Sequence, residues 1–134
     1  MTKKATSEAE QFVKSRKGSF LASFQGLAYV MKTQKNAWIH LAATIIVISV
    51  SAYLRLEKTE WIMILLVIGL VWVAEFFNTA FEVIVNLASP EVHPLAKISK
   101  DVGAASVLIA AILSVIVGIL VLGPAIIEKI NNFG

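Results

Sequence analysis

The chain has 134 residues, of which 57% are hydrophobic and 16% charged, with a formal net charge of +3 and no cysteine. An average soluble domain has roughly 45–50% apolar and about 25% charged residues, so these proportions argue against a soluble globule and against disorder. The lack of cysteine excludes a disulfide scaffold, a thiolate zinc site and a cysteine nucleophile. A small, helical, membrane-embedded unit remains.

Residues 1–36 are basic and carry apolar side chains at helical spacing. The apolar residues recur every seven positions, with others on the intermediate turns, and basic residues occupy other positions. This pattern predicts an amphipathic helix on the inner leaflet, apolar side down and cations toward lipid phosphates. Packing on the protein's own spans is the alternative, and both can hold together. The apolar positions are Val13, Phe20, Phe24, Leu27 and Met31.

Three apolar blocks follow, and each predicts a transmembrane helix, since a span needs about 20 predominantly apolar residues. The first runs from Ala37 to Leu54, and the third runs from Val102 without a charge. The second begins at Trp61 and is long enough only if Glu75 lies inside the bilayer or at its edge. Continuous rather than alternating hydrophobicity argues against strands. We expect one all-α membrane domain over 1–134, with spans at about 37–54, 61–82 and 102–124.

Positive charge predicts the orientation of these spans. Nine lysines and arginines lie in the N-terminal segment and the loop before the third block, against three in the 55–60 loop and the tail. Basic residues accumulate on the cytoplasmic side of membrane proteins. We therefore expect a multi-pass plasma-membrane protein with its N-terminus in the cytoplasm and its C-terminus outside.

Small residues in the third block are spaced four apart. Ser106, Ala110, Ser114 and Gly118 follow this spacing, which lets a neighbouring helix approach closely. Association into an oligomer and packing within the chain are both compatible with the pattern.

Three polar residues of the second block lie on one helix face. Glu75, Asn78 and Glu82 fall at i, i+3 and i+7, at 3.6 residues per turn. From an outer start at Trp61, Glu82 lies roughly 30 Å along the helix, near the inner headgroups, and Glu75 about 10 Å deeper. The shallow carboxylate suits magnesium, and the deep one suits a base that takes a proton from a lipid alcohol. A structural polar network between helices is the alternative.

The loop after this helix and the turns that follow carry a cytoplasmic charged cluster. Two prolines, at positions 90 and 94, end one helix and permit the next to start. Lys100 can reach a phosphate, while Glu91 and Asp101 can accept hydrogen bonds from ribose or adenine groups. Ordinary positive-inside anchoring is the alternative for Lys97 and Lys100. The sequence has no glycine-rich phosphate loop, so a nucleotide must be held by side chains.

These motifs together resemble one family. Glu75-x-x-Asn78-Thr79-Ala80-x-Glu82, then His93-Pro94-Leu95-Ala96-Lys97-x-x-Lys100-Asp101 and a small-rich third span, closely resemble the prokaryotic diacylglycerol kinases, which include undecaprenol kinases of Gram-positive bacteria. The resemblance covers roughly residues 12–124. It implies a bacterial homotrimeric membrane kinase with three spans and a surface helix, which uses magnesium to transfer the γ-phosphate of ATP to a lipid hydroxyl.

The resemblance also implies individual roles. Glu75 matches the catalytic base and Asn78 an essential asparagine beside it, while Glu82 matches a ligand of the nucleotide-bound metal. The positions matching the nucleotide surroundings are Glu91, His93, Lys100 and Asp101.

Three positions depart from the family pattern. Gln34 stands where a glutamate often serves as a second metal ligand, so the resemblance assigns it to the metal as a weaker, neutral ligand. Trp38 replaces a common arginine, and with Asn36 it is assigned to the lipid substrate. Asn86 replaces a common aspartate one turn beyond Glu82. We expect the site to bind magnesium with a weaker hold.

The sequence therefore predicts an ATP- and magnesium-dependent lipid kinase whose acceptor is undecaprenol or diacylglycerol. The loop at 93–97 is closer to the undecaprenol kinase branch. The expected partners are the lipid alcohol, ATP, the bilayer and further copies of the chain, with no nucleic acid. A non-catalytic membrane subunit that kept the fold and a small pore-like oligomer are the alternatives.

Overall fold

The computed structural model describes residues 2–89 and 93–132, and these residues form four helices without a strand. The helices are α1 (Thr2–Thr33), α2 (Lys35–Leu54), α3 (Lys58–Ala88) and α4 (Pro94–Asn131). The chain divides into two compact units, Met1–Lys35 and Asn36–Gly134.

The first unit is a single long helix. Its hydroxyl side chains bond back to carbonyls one turn earlier, as Ser19 does to Ser15 and Ser23 to Ser19. Phe20 and Phe24 are exposed, and the side chain of Val13 lies outside the described residues. The predicted helix is present, while its position on the inner leaflet as an amphipathic helix stays a prediction.

Three helices are long and apolar enough to cross a membrane, and they are α2, α3 and α4. This agrees with the three predicted spans, and it makes the chain a membrane protein. At 1.5 Å per residue, the 31 residues of α3 and the 38 of α4 extend beyond a hydrocarbon core about 30 Å thick. Both helices also begin before and end after the apolar blocks of the sequence that predict them.

The turn between α2 and α3 is fixed by local hydrogen bonds. Arg55 adopts a left-handed backbone with φ 59. Its N–H donates to the Ala52 carbonyl at 3.2 Å, and the Leu56 N–H donates to that of Ser51 at 3.3 Å, which is the Schellman pattern. A reciprocal capping box between Glu57 and Glu60 then begins α3.

The first helical turn of α4 is set by His93 and Pro94. The His93 side chain accepts from the Leu95 N–H, and Pro94 occupies the first helical position, where its missing N–H has no cost. The helix thus begins eight residues before the predicted span and carries the charged cluster on its first turns. It also continues through Pro124 to Asn131, beyond the expected end of the span at 124.

α3 and α4 pack closely against each other. The buried residues of α3 are Ile64, Val71, Glu75, Asn78 and Thr79, and those of α4 are Gly103, Val107, Ala110 and Val121. The end of this packing nearest the α2–α3 turn is an apolar cluster in which Leu56, Ile64 and Val121 are buried. The buried face of α3 therefore changes from apolar to polar toward its C-terminal end.

The small-residue stripe of the third span divides between two surroundings. Ala110 is buried and Ser114 half-buried, whereas Ser106 is exposed and bonds to the carbonyl of Gly103 at 2.6 Å. A Cβ added at Gly118 would meet nothing within 4 Å in this chain. Ala110 thus packs within the chain, while oligomer contacts at the other positions stay a prediction.

Candidate active site

A cleft of about 250 Å³ opens between α2, α3 and α4 at the polar end of the buried seam. Ten residues line it, with polar groups from α2 and α3 and only apolar groups from α4. This combination of an apolar lining with a few convergent polar side chains is typical of small-molecule sites. The lining residues are Asn36, Ile39, His40, Glu75, Asn78, Glu82, Ala104, Val107, Leu108 and Ala111.

Glu75 is the most deeply buried acid of the described residues, with 0% exposure. Neither of its carboxylate oxygens has a hydrogen-bond partner in the part of the chain that the structure describes. The nearby Thr79 hydroxyl donates to the backbone carbonyl of Glu75 at 2.8 Å and so does not satisfy the carboxylate. A buried carboxylate without partners is costly, so its retention in an apolar span indicates a role beyond packing.

His40 of α2 faces this carboxylate. Its Nε2 lies 3.8 Å from Oε2 of Glu75, and the His40 side chain is only 15% exposed. The imidazole packs edge-on against Trp72, with ring centroids 6.4 Å apart. The roles assigned from the sequence did not include His40, although a histidine inside an apolar span is itself a signal of function.

Asn78 and Glu82 continue the polar line by one turn each. Asn78 is buried and its Nδ2 donates to Oε1 of Glu82 at 3.1 Å. Glu82 is half-buried, so a carboxylate oxygen reaches the mouth of the cleft. The structure therefore brings together the three α3 residues that the spacing had placed on one face.

Gly103 of α4 allows the side chain of Asn78 to approach the α4 backbone closely. A Cβ added at Gly103 would lie 2.5 Å from Oδ1 of Asn78 and 3.5 Å from its Cγ. Only glycine accepts the amide at this position without a shift, so Gly103 defines where the Asn78 side chain lies. No sequence pattern had singled out this glycine.

Contact of Asn78 with Gly103 also gives the register of α3 against α4. Because the two helices are antiparallel, Glu82 lies opposite residue 99, so Lys100 is within one turn of it. Lys100 is three residues before Gly103 and therefore near the α3-facing side, and it is half-buried.

Asp101 has different surroundings from Lys100. Its side chain is 61% exposed and forms an ion pair with Lys97. This i, i+4 pair lies farther around α4 from the face that packs on α3.

The remaining predicted residues fall in different places. Asn36 lines the cleft, whereas Trp38 is 59% exposed and does not. His93 uses its Nδ1 to cap α4 by accepting from the Leu95 N–H at 3.2 Å. Gln34 belongs to the first unit, where its N–H donates to the Val30 carbonyl, and Glu91 lies outside the described residues.

The chain is similar to known proteins over most of its length. The sequence profile described as prokaryotic diacylglycerol kinase matches residues 21–122. The chain is 36% identical over 106 residues to the undecaprenol kinase of Bacillus subtilis, covering 79% of this chain and 86% of that protein. It is 39% identical over 111 residues to a diacylglycerol kinase of Synechocystis, covering 82% of this chain and 63% of that protein. A diacylglycerol kinase of Escherichia coli is 29% identical over 104 residues, covering 72% of this chain and 85% of that protein.

Proposed function

The chain belongs to the prokaryotic diacylglycerol kinase family, and from that premise we propose how this ATP-dependent lipid kinase uses its cleft. The acceptor is the hydroxyl of a membrane lipid alcohol. The alcohol enters the cleft between α2 and α4 from the bilayer side. The phosphates of ATP meet it from the cytoplasmic end, beside Glu82 and the start of α4.

The observation that carries this assignment is the buried Glu75. Its two carboxylate oxygens face a cleft without hydrogen-bond partners among the described residues. Such an oxygen can accept a hydrogen bond from a hydroxyl group. Glu75 therefore takes the proton of the alcohol as its oxygen bonds to the γ-phosphorus, and the bond from that phosphorus to the β,γ-bridging oxygen breaks, with its electron pair leaving on ADP.

Asn78 and Glu82 hold the groups next to the reacting atoms. Asn78 lies one turn from Glu75 and donates a hydrogen bond to Glu82. Glu82 would hold magnesium on the nucleotide phosphates, and the family resemblance assigns Gln34 to the metal as a weaker ligand. Glu82 supplies a carboxylate at the cleft, and magnesium keeps several waters and is bound through one or two carboxylates plus substrate phosphates.

Charge compensation and positioning account for the rest of the reaction. Phosphoryl transfer depends on positioning and electrostatics more than on covalent help from the protein. Magnesium bound there supplies positive charge to the phosphate oxygens as they gain negative charge. Lys100, half-buried beside the α3-facing side of α4, supplies a second positive charge. The family resemblance assigns Glu91, His93 and Asp101 to the nucleotide, and Asn36 and Trp38 to the lipid.

The acceptor is undecaprenol or diacylglycerol, which share a primary hydroxyl on an apolar body. The similarities of 36% and 39% to kinases named for each lipid do not separate them. We further propose a homotrimer with its N-terminus in the cytoplasm, on the strength of the family resemblance and the distribution of basic residues.

Purified protein in lipid vesicles, offered ATP labelled on the γ-phosphate with each alcohol in parallel, tests the proposal. We expect label to appear in one of the two lipids only when magnesium is present. Transfer to neither lipid would favour a non-catalytic subunit. Ion flux through the same vesicles without any transfer would favour the pore-like oligomer.

A further inference from the structure

The pair formed by His40 and Glu75 crosses from α2 to α3 at the cleft. The side chain of Glu75 is 1% exposed and that of His40 is 15% exposed. Nε2 of His40 is buried and has no hydrogen-bond partner in the described chain, as is the case for both oxygens of Glu75. Two unsatisfied polar groups therefore face one another across 3.8 Å.

The His40 ring is held in this position by a second contact between the same helices. Trp72 lies three residues before Glu75 and packs edge-on against the imidazole. Its Nε1 donates to Oγ1 of Thr44 at 3.1 Å, and Thr44 lies one turn beyond His40. The aromatic wall restricts the imidazole, so Nε2 points to the carboxylate without a direct bond that would fix it there.

The contact between His40 and Glu75 is too long for a hydrogen bond. The 3.8 Å separation joins Nε2 to Oε2 and is longer than a hydrogen bond, which has a donor–acceptor distance of about 2.7–3.2 Å. Catalytic hydrogen bonds are often long in the absence of substrate and shorten in the complex. A base that is itself oriented by a third group is a recurrent arrangement in enzymes.

We propose that His40 is a positioning residue for Glu75. Its Nε2–H donates to Oε2 when the alcohol occupies the cleft, and this leaves Oε1 to accept the proton of the hydroxyl. The O–H bond breaks, the alcohol oxygen bonds to the γ-phosphorus, and the electron pair of the broken phosphorus–oxygen bond leaves on ADP. This inference rests on the proposed role of Glu75 as the base. It adds His40 as the group that donates to one carboxylate oxygen and leaves the other to take the proton.

The test measures kcat and the KM for ATP of His40→Ala and His40→Gln in lipid vesicles. Misplacing a catalytic group by about 1 Å costs about 100-fold, so we expect His40→Ala to lower kcat by about 10–100-fold with the KM for ATP unchanged. Glutamine keeps an N–H donor of similar reach. We therefore expect His40→Gln to restore at least a third of the decrease in log kcat that His40→Ala causes. Ser49→Ala is the matched control on α2, since it removes an exposed hydrogen bond within the helix, from the Ser49 hydroxyl to the Ile45 carbonyl, and it should change kcat by less than about threefold.

A double-mutant cycle separates action through Glu75 from a general effect on the fold. In a Glu75→Gln background, His40→Ala should cause no further loss, because neighbours that act together are not additive. Equal losses in both backgrounds would overturn the inference, as would wild-type kcat in both His40 variants. Failure of His40→Gln to recover activity while the protein elutes and melts as wild type would also overturn it. If the unmodified protein transfers phosphate to neither alcohol, the proposed function itself fails.

Discussion

Replacing Gly103 with alanine places a methyl group against the Asn78 amide. The added Cβ would lie 2.5 Å from Oδ1, whereas ordinary contact begins at 3.4 Å, so the amide must move by about 0.9 Å, the difference between these distances. The crowded atom is the end of a flexible side chain, so the amide can turn away while the helices stay packed. The Nδ2 bond to Glu82 at 3.1 Å is then lost.

The magnitudes of the two consequences differ. Overpacking costs about 1–3 kcal/mol, and a helical glycine replaced by alanine regains about 1 kcal/mol, so the net loss of stability should be no more than about 2 kcal/mol. A displacement of about 1 Å beside the reacting atoms costs about 100-fold in rate. We therefore expect Gly103→Ala to melt at or somewhat below the wild-type temperature and to transfer phosphate about 100-fold more slowly.

The assay is the rate of γ-phosphate transfer to lipid, measured beside thermal unfolding in detergent. Gly69→Ala on α3 is the matched control, because a Cβ there meets nothing within 4 Å, and it should keep wild-type activity. A Gly103→Ala protein within about threefold of the wild-type rate would refute the role given to the Asn78 position. Equal loss in both variants would show that the glycines act through the helices in general.

Three further predictions concern the nucleotide, the metal and the membrane orientation. Lys100→Met should raise the KM for ATP about tenfold, since a charge-assisted hydrogen bond contributes about 1.5–3 kcal/mol. Lys97→Met removes only an exposed ion pair and should change this KM less than twofold. Equal effects of the two substitutions would contradict the placement of Lys100. Gln34→Glu should lower the magnesium concentration needed for half-maximal activity, and an unchanged magnesium titration would remove Gln34 from the metal site. Because the chain has no cysteine, Asn132→Cys should react with a membrane-impermeant thiol reagent in intact cells and Ala22→Cys only after permeabilisation; the reverse pattern would invert the orientation.

Much of the fold could be predicted from the sequence because membrane spans are defined by length and hydrophobicity. The three apolar blocks correspond to α2, α3 and α4. The common face of Glu75, Asn78 and Glu82 follows from helical spacing alone, and all three line one cleft. The start of α4 at Pro94 agrees with the helix start that the two prolines permit, whereas its C-terminal end did not follow from the sequence, because the helix continues through Pro124 to Asn131.

The register between the helices could not be predicted from the sequence. The approach of His40 to Glu75 depends on how α2 slides against α3, and that of Gly103 to Asn78 on α3 against α4. The adjacent residues Lys100 and Asp101 form one cluster in the sequence. In the structure the lysine is half-buried near α3 and the aspartate pairs with Lys97 on the exposed side. Each of these differences arises from packing between helices that are far apart in the chain.

The most direct test compares two glutamates of the same helix. Glu75→Gln removes the base while keeping the shape of the side chain, and we expect the rate of γ-phosphate transfer to fall by about 100-fold or more, the usual contribution of a general base. Glu60→Gln alters the capping box at the other end of α3, where glutamine also serves, and its rate should stay within twofold of wild type. Glu75→Gln protein that transfers phosphate within threefold of the wild-type rate would contradict the central claim that this buried carboxylate takes the proton.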